Sequence, residues 1–113
     1  MRRSLVLLTA AAIAAAAVAV PALAATKSVK VGDNYYVRSS GVPTVTVKKN
    51  DTVKWNFAGD KPHNVTVTKG PVKFKSSTKD SGSYSKKVTR AGLYTIVCTV
   101  HEGQSMKLRV RLK

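Results

Sequence analysis

Four side chains that can bind a metal have a distinctive spacing in this 113-residue chain. Three of them follow the pattern Cys98-x2-His101-x4-Met106, and the chain's other histidine, His63, precedes them. A thiolate and two imidazoles in one plane, with a weak thioether on the axis, form the donor set that suits copper cycling between two oxidation states. These residue types therefore predict a copper site.

Zinc is the main alternative ion for a site that contains cysteine and histidine. Structural zinc sites use four cysteine or histidine ligands, and catalytic zinc sites keep a position open for water. Neither kind of site needs a methionine at this spacing, so Met106 favours copper. Copper is inferred here from ligand types, and zinc remains able to occupy such a site when it is the more available ion.

The elements around the cysteine explain how one connection could carry three of the four donors. Residues 92–98 have the pattern of a strand with Cys98 at its end, and Lys107 begins another strand. His101 and Met106 lie in the loop between the two strands. One strand-to-strand loop is therefore predicted to bring three donors together.

This arrangement resembles the cupredoxins, or type 1 blue copper proteins, and most closely their plastocyanin, amicyanin and pseudoazurin members. The resemblance rests on the cysteine, histidine and methionine spacing, on His63-Asn64, and on the segments 33–36, 47–55 and 91–94. It covers nearly all of the chain after the first 24 residues. It implies a small β-sandwich that binds one type 1 copper ion and carries single electrons.

The resemblance also implies a role for each site residue. The equatorial nitrogen ligands would be His63 and His101, the thiolate ligand Cys98 and the axial ligand Met106. Asn64 resembles the family residue that ties the ligand loop to the neighbouring strand. No cofactor besides the copper ion is expected.

Two alternatives concern individual ligands. Some family members use an axial glutamine, so Gln104 competes with Met106, although the x4 spacing favours the methionine. A free cysteine is commonly a small buried apolar side chain, and that role would be favoured for Cys98 considered alone. The other donors at family spacing favour a ligand instead. The loop also lacks the proline found in many family members, which affects its rigidity.

The N-terminus predicts export from the cytoplasm. A charged start, Met1-Arg2-Arg3, precedes the apolar residues 5–20 and a small-residue site that ends at Ala24. This pattern is typical of a secretory signal peptide, residues 1–24, with the periplasm, the extracellular space or the cell envelope as destination. An uncleaved membrane anchor is the alternative, because about 17 apolar residues can span a bilayer. The general secretory and twin-arginine routes both stay open.

The remaining residues, 25–113, suffice for one domain, and their single cysteine allows no internal disulfide. Short alternating segments separated by turns predict an all-β fold, an antiparallel Greek-key β-sandwich. Residues 69–82 are predicted to form a long loop. The core is expected to contain Trp55, Phe57, Tyr94, Ile96, Leu108, Val110 and Leu112. The predicted strands span residues 29–31, 45–47, 53–57, 63–67, 84–88, 93–98 and 107–112.

Charge is the second strong signal. The chain has a net charge of +15, and removal of residues 1–24 leaves 18 basic against 5 acidic residues, or +13. A strong field speeds association with oppositely charged partners, so redox proteins with acidic surfaces are expected. An anionic membrane surface or a cell-wall polymer would be attracted by the same charge. We expect a monomer. A nucleic acid partner is not expected, because the basic residues are spread over most segments.

Three classes of function follow from these observations. The first is an exported one-electron carrier between redox partners. The second is an extracytoplasmic protein that stores, buffers or delivers copper. The third is a metal-free basic module that binds polyanions. No enzymatic activity and no catalytic residues are expected, because the metal site uses both histidines of the chain.

Overall fold

Eight short strands make up the fold in the computed structural model, which describes residues 24–101 and 106–113. Most of them alternate buried and exposed positions, as expected for strands with one face on a core. Their bounds are β1 Thr26–Gly32, β2 Tyr35–Tyr36, β3 Thr44–Val47, β4 Thr52–Phe57, β5 Thr66–Lys69, β6 Ser83–Lys87, β7 Gly92–Val97 and β8 Lys107–Leu112.

The strands form two four-stranded sheets that pack as a sandwich. One sheet has the strand order β2-β1-β4-β6, and the other has the order β3-β8-β7-β5. The predicted all-β sandwich is therefore confirmed. Every side chain that the sequence assigned to the core is buried: Trp55, Phe57, Tyr94, Ile96, Leu108, Val110 and Leu112.

The pairing directions differ from the antiparallel pattern that the sequence suggested. β1 pairs with β4 in parallel, and β3 pairs with β8 in parallel, whereas the other four pairs are antiparallel. Between β1 and β4 the chain crosses to the other sheet as β3 and then returns. Alternation of apolar residues fixes which face of a strand is buried but not its direction. The sheets are consequently mixed.

Two strand assignments also change. The predicted strand at residues 63–67 is displaced, because β5 begins at Thr66 and His63 forms an isolated bridge with Lys79. Two backbone hydrogen bonds, from each residue's N–H to the other's carbonyl, make this bridge. Lys79 belongs to the predicted long loop, which indeed separates β5 from β6. The two-residue strand β2 was not predicted, because a two-residue strand has no measurable period.

Parallel pairing of β1 and β4 places the ends of both strands at one end of the sandwich. Val31 pairs with Phe57, so the β1–β2 turn at Asp33 lies beside the segment that follows β4. Asn34 in this turn has a φ of 74°, a left-handed conformation that asparagine tolerates well. The β1–β2 turn and the loop that carries His63 are therefore neighbours.

The predicted signal peptide, residues 1–24, lies outside the described residues except for Ala24. Gln104, the alternative axial donor, lies outside them as well. Within residues 24–101 and 106–113, no helix is long and apolar enough to cross a membrane.

Candidate metal centre

Three donor atoms meet at this end of the sandwich. The Nδ1 atoms of His63 and His101 are 3.1 Å apart. The Sγ atom of Cys98 lies 3.9 Å from the first of these nitrogens and 3.7 Å from the second. Each donor belongs to a different part of the site: the segment after β4, the end of β7 and the loop beyond it. The fold therefore brings together the donor atoms of three of the predicted site residues.

The size of this triangle can be tested against a metal ion. A point equidistant from the three donor atoms lies about 2.1 Å from each of them, by the geometry of the three distances. Nitrogen and sulfur ligands bind a first-row divalent ion such as zinc at about 2.0–2.3 Å. The triangle fits one such ion, and the softness of the thiolate together with the nearby Met106 favours copper.

His63 is oriented from its outer side by Asp33. The imidazole Nε2 lies 3.0 Å from Asp33 Oδ1. Hydrogen bonds from the backbone N–H of Asp60, then from His63 and Lys61, lower the pKa of Asp33 to about 2, so its carboxylate is ionised at neutral pH and only accepts. The proton of neutral His63 must then be on Nε2. Its Nδ1 then carries no proton and faces Nδ1 of His101 and Sγ of Cys98 in the donor triangle.

His101 is the more accessible histidine of the pair. Burial, together with the neighbouring His63 ring, lowers the pKa of His101, which favours its neutral, metal-binding form. Its backbone N–H donates to the Cys98 carbonyl at 3.2 Å, so a turn follows the cysteine. The preceding residue, Val100, is 50% exposed. This side of the site therefore reaches the surface through an imidazole and an apolar side chain.

Cys98 and Met106 are both removed from solvent. Cys98 is fully buried and Met106 is 1% exposed. The backbone N–H of Cys98 donates to the Met106 carbonyl at 3.2 Å, so the methionine lies directly beside the cysteine, immediately before β8. Burial also excludes water from the sulfur of Cys98. The assignment of Met106 as axial ligand stays a prediction.

Asn64 connects the two halves of the site. Its side-chain Nδ2 donates to Thr78 Oγ1 at 3.1 Å, and its Oδ1 accepts from Thr66 Oγ1 at 2.9 Å. Two further hydrogen bonds join it to Thr99, the neighbour of Cys98. Tyr36 supports the same segment, since its buried hydroxyl donates to the Asn64 carbonyl at 2.6 Å. Burial, with Cys98 nearby, raises the pKa of Tyr36 and keeps this donor protonated.

Sequence reasoning missed the functions of Asp33, Tyr36 and Thr99. The first two lie in a segment that contributed to the family resemblance, yet no role followed from it. One signal was available for Asp33, the residue of the β1–β2 turn: it is one of only five acidic residues in a strongly basic chain. Nothing in the sequence indicates that this turn lies next to His63.

Comparisons with known proteins agree with this geometry. Residues 25–113 match the family described as copper binding proteins of the plastocyanin/azurin family. Among solved structures, a methionine-to-glutamine variant of amicyanin in its Cu(I) form is similar, with a TM-score of 0.65 and 28% identity over 78% of this chain and 82% of that one. The Cu(I) form of a methionine-to-alanine variant of amicyanin gives 0.61 and 29% over 86% and 89%.

Family and site chemistry lead to the same conclusion. The cluster of His63, Cys98, His101 and Met106 is consistent with a type 1 copper site. Proteins of this family are typically electron carriers rather than enzymes. Because the match extends over residues 25–113 and the fold agrees with that of amicyanin, this chain belongs to the plastocyanin/azurin family of copper binding proteins.

Proposed function

We propose that this protein is an exported one-electron carrier that shuttles electrons between larger redox proteins. The observation that carries the proposal is the donor triangle of His63, Cys98 and His101, whose size fits one metal ion. Asp33 accepts a hydrogen bond from His63, and Asn64 donates one to Thr99 beside Cys98, so the protein holds the donors in place. A site that is held in place by the protein changes little in shape on electron transfer, which favours fast transfer.

Copper, when bound, supplies one-electron exchange between its Cu(I) and Cu(II) states. Cys98 would hold the ion as the thiolate, because a coordinating thiol loses its proton. His63 would keep its proton on Nε2 and bind through Nδ1. Met106 would be the fourth ligand, and its apolar side chain would also help to exclude water. Val100 and the edge of His101 form the surface at which a partner comes closest to the metal.

The proposed partners are redox proteins with acidic surfaces. Support comes from the +13 net charge of residues 25–113 and from exposed cations such as Lys107, Arg109 and Arg111 along β8. Electrostatic steering raises association rates by about 10 to 1,000-fold and weakens with salt. Stopped-flow electron exchange with an acidic redox protein is expected to slow steeply between low and physiological ionic strength. A rate that barely changes would contradict acidic partners, and binding to anionic vesicles alone would favour a membrane or cell-wall role.

Export through a cleaved signal peptide is also part of the proposal. Support comes from the charged, apolar and small-residue pattern of residues 1–24. Mass spectrometry of the protein from the periplasm or culture medium is expected to find Ala25 as the first residue. A chain that begins at Met1 and stays with the membrane would instead indicate an anchor.

The visible absorption spectrum tests the copper site itself. The protein loaded with Cu(II) is expected to show an intense blue band, and Cys98→Ser is expected to lose this band while its circular dichroism stays that of a β-protein. Voltammetry then tests the carrier function: repeated reversible one-electron cycles with the metal retained support it. Loss of the metal on reduction would favour copper storage or delivery, and binding of polyanions without any copper site would favour the basic module.

A further inference from the structure

The carboxylate of Asp33 is the centre of a small hydrogen-bond network on the outer side of His63. Asp33 Oδ1 accepts from His63 Nε2 at 3.0 Å and from the backbone N–H of Lys61 at 3.0 Å. Both carboxylate oxygens accept from the backbone N–H of Asp60, at 3.1 Å and 2.9 Å. One side chain therefore holds both the loop before His63 and the imidazole ring itself.

The loop is wrapped closely around this carboxylate. A Cβ atom at Gly59 would come within 2.7 Å of Asp33 Cγ and even closer to its Oδ1. Such approaches are shorter than van der Waals contact, so only glycine permits the backbone to lie there. This close fit fixes the position of the carboxylate relative to the ring. Asp33 is 33% exposed, whereas the side chain of His63 is 1% exposed.

We propose that Asp33 is a positioning residue that sets the tautomer and orientation of His63 and, through its charge, lowers the reduction potential of the copper site. This inference rests on the proposed copper function of the cluster. A carboxylate that accepts the outer N–H of a metal-binding histidine makes the ring a stronger donor, and loss of such a partner typically costs about 10–100-fold in metal affinity.

The direction of the effect follows from charge. A nearby negative charge interacts more favourably with the doubly charged Cu(II) than with the singly charged Cu(I). A histidine that the carboxylate makes a stronger donor likewise favours Cu(II) over Cu(I). Asp33 therefore stabilises the oxidised form more than the reduced form. In a chain with a large excess of positive charge, which acts in the opposite direction, this carboxylate gives the site a local negative charge.

Asp33→Asn tests this proposal, with Asp60→Asn as a matched control. Asparagine keeps an oxygen acceptor for His63 and removes the charge. Asp60 is exposed and lies in the loop before His63. It contacts Asp33 through its backbone N–H and not through its side chain. The control therefore removes the same charge close to the site without changing the atoms that face the histidine.

The readouts are the reduction potential by voltammetry and the Cu(II) affinity by competition with a chelator. Asp33→Asn is expected to weaken Cu(II) binding about tenfold relative to Cu(I), which raises the potential by about 59 mV for a one-electron couple. Asp60→Asn is expected to shift the potential by less than a third of that. Equal shifts in the two variants, or none in Asp33→Asn, would overturn the proposal.

A second measurement needs no variant. Nuclear magnetic resonance of the diamagnetic Cu(I) protein is expected to show a protonated Nε2 on His63 whose hydrogen exchanges slowly with water. An unprotonated Nε2, or rapid exchange, would overturn the orienting role even if Asp33→Asn failed to fold. If the protein is not an electron carrier, the wild-type protein will lack a reversible one-electron couple. The Cu(II) affinities of Asp33→Asn and Asp60→Asn would still decide the role of Asp33.

Discussion

Asn64 holds Thr99 through two hydrogen bonds that use both ends of its side-chain amide. Nδ2 donates to Thr99 Oγ1 at 2.8 Å, and Oδ1 accepts from the Thr99 backbone N–H at 3.1 Å. Asn64 follows His63 in the sequence, and Thr99 follows Cys98. This pair therefore links two metal-binding residues that come from separate parts of the chain.

Loss of this link should weaken the fold and disturb the site. Asn64→Ala removes four side-chain hydrogen bonds from a residue that is almost fully buried. At about 0.5–1.5 kcal/mol net for each bond, partly replaced by water, the free energy of unfolding should fall by about 2–3 kcal/mol. Urea unfolding of the metal-free protein measures this change. The visible band of the copper-loaded variant should also shift, since the positions of Cys98 and His63 are no longer tied together.

Thr66→Val is the matched control for Asn64→Ala. It removes one of the four hydrogen bonds, the one from Thr66 Oγ1 to Asn64 Oδ1, and leaves both contacts with Thr99 in place. The expected loss is about 1 kcal/mol or less, with an unchanged visible band. A band shift as large as that of Asn64→Ala would contradict the importance of the Thr99 contacts.

Replacement of Met106 by leucine should separate the roles of the two candidate axial donors. Met106 is buried, and a change between methionine and leucine usually costs less than about 1.5 kcal/mol. The blue band should persist because Cys98 remains, while the potential rises by about 59 mV for each tenfold loss of Cu(II) binding relative to Cu(I). Voltammetry of Met106→Leu and Gln104→Ala makes the comparison. A larger shift in Gln104→Ala would identify the glutamine as the axial donor.

Asp51 should make stability depend on pH in the acid range. Its carboxylate accepts from the backbone N–H of Ala25 at 2.9 Å and of Lys48 at 3.0 Å, and these hydrogen bonds lower its pKa below the ordinary 3.8. The unfolded state therefore binds more protons in this window, and stability falls as pH drops below about 4. Cleavage after Ala24, as predicted, would turn one donor into a charged amino group.

Urea unfolding of the metal-free protein between pH 2 and pH 6 measures this dependence. The wild-type midpoint should decrease as pH falls, whereas Asp51→Asn, which cannot ionise at this position, should be less stable at neutral pH and show a flatter dependence. Parallel curves for the two proteins would exclude Asp51 as a source of the acid sensitivity.

Val37 occupies a strained backbone conformation. Its φ is 66°, in the left-handed region that β-branched residues rarely adopt, and its side chain is exposed. Val37→Gly removes about 1–2 kcal/mol of strain and loses about 0.5–1 kcal/mol through greater freedom of the unfolded chain. Thermal unfolding should therefore show a Tm higher by about 4 °C. Val100→Gly, an exposed valine without positive φ, should lower the Tm, and a lowered Tm in both variants would contradict the strain.

The strands show how far periodicity carries a prediction. The strict alternation in residues 107–112 predicted the buried face of β8 correctly, because a strand places successive side chains on opposite faces. The same signal was wrong about the start of β5. The sequence alternates over residues 63–67 as in a strand, but Asn64 is buried along with His63 and Val65, and the backbone of His63 pairs with Lys79 in a loop. Local pattern records which side chains are buried, whereas the pairing partner depends on a distant segment.

The sequence by itself determined the kind of metal site and the class of fold. Cysteine, histidine and methionine at this spacing form a donor set that suits copper, and several short segments of alternating apolar residues in a chain of this size favour a sandwich with one core. Only the tertiary structure decided the parallel pairing of β1 with β4, which brings the Asp33 turn to the loop of His63. Contacts of this kind join residues far apart in the chain, and they depend on how strands from two sheets meet rather than on any local pattern.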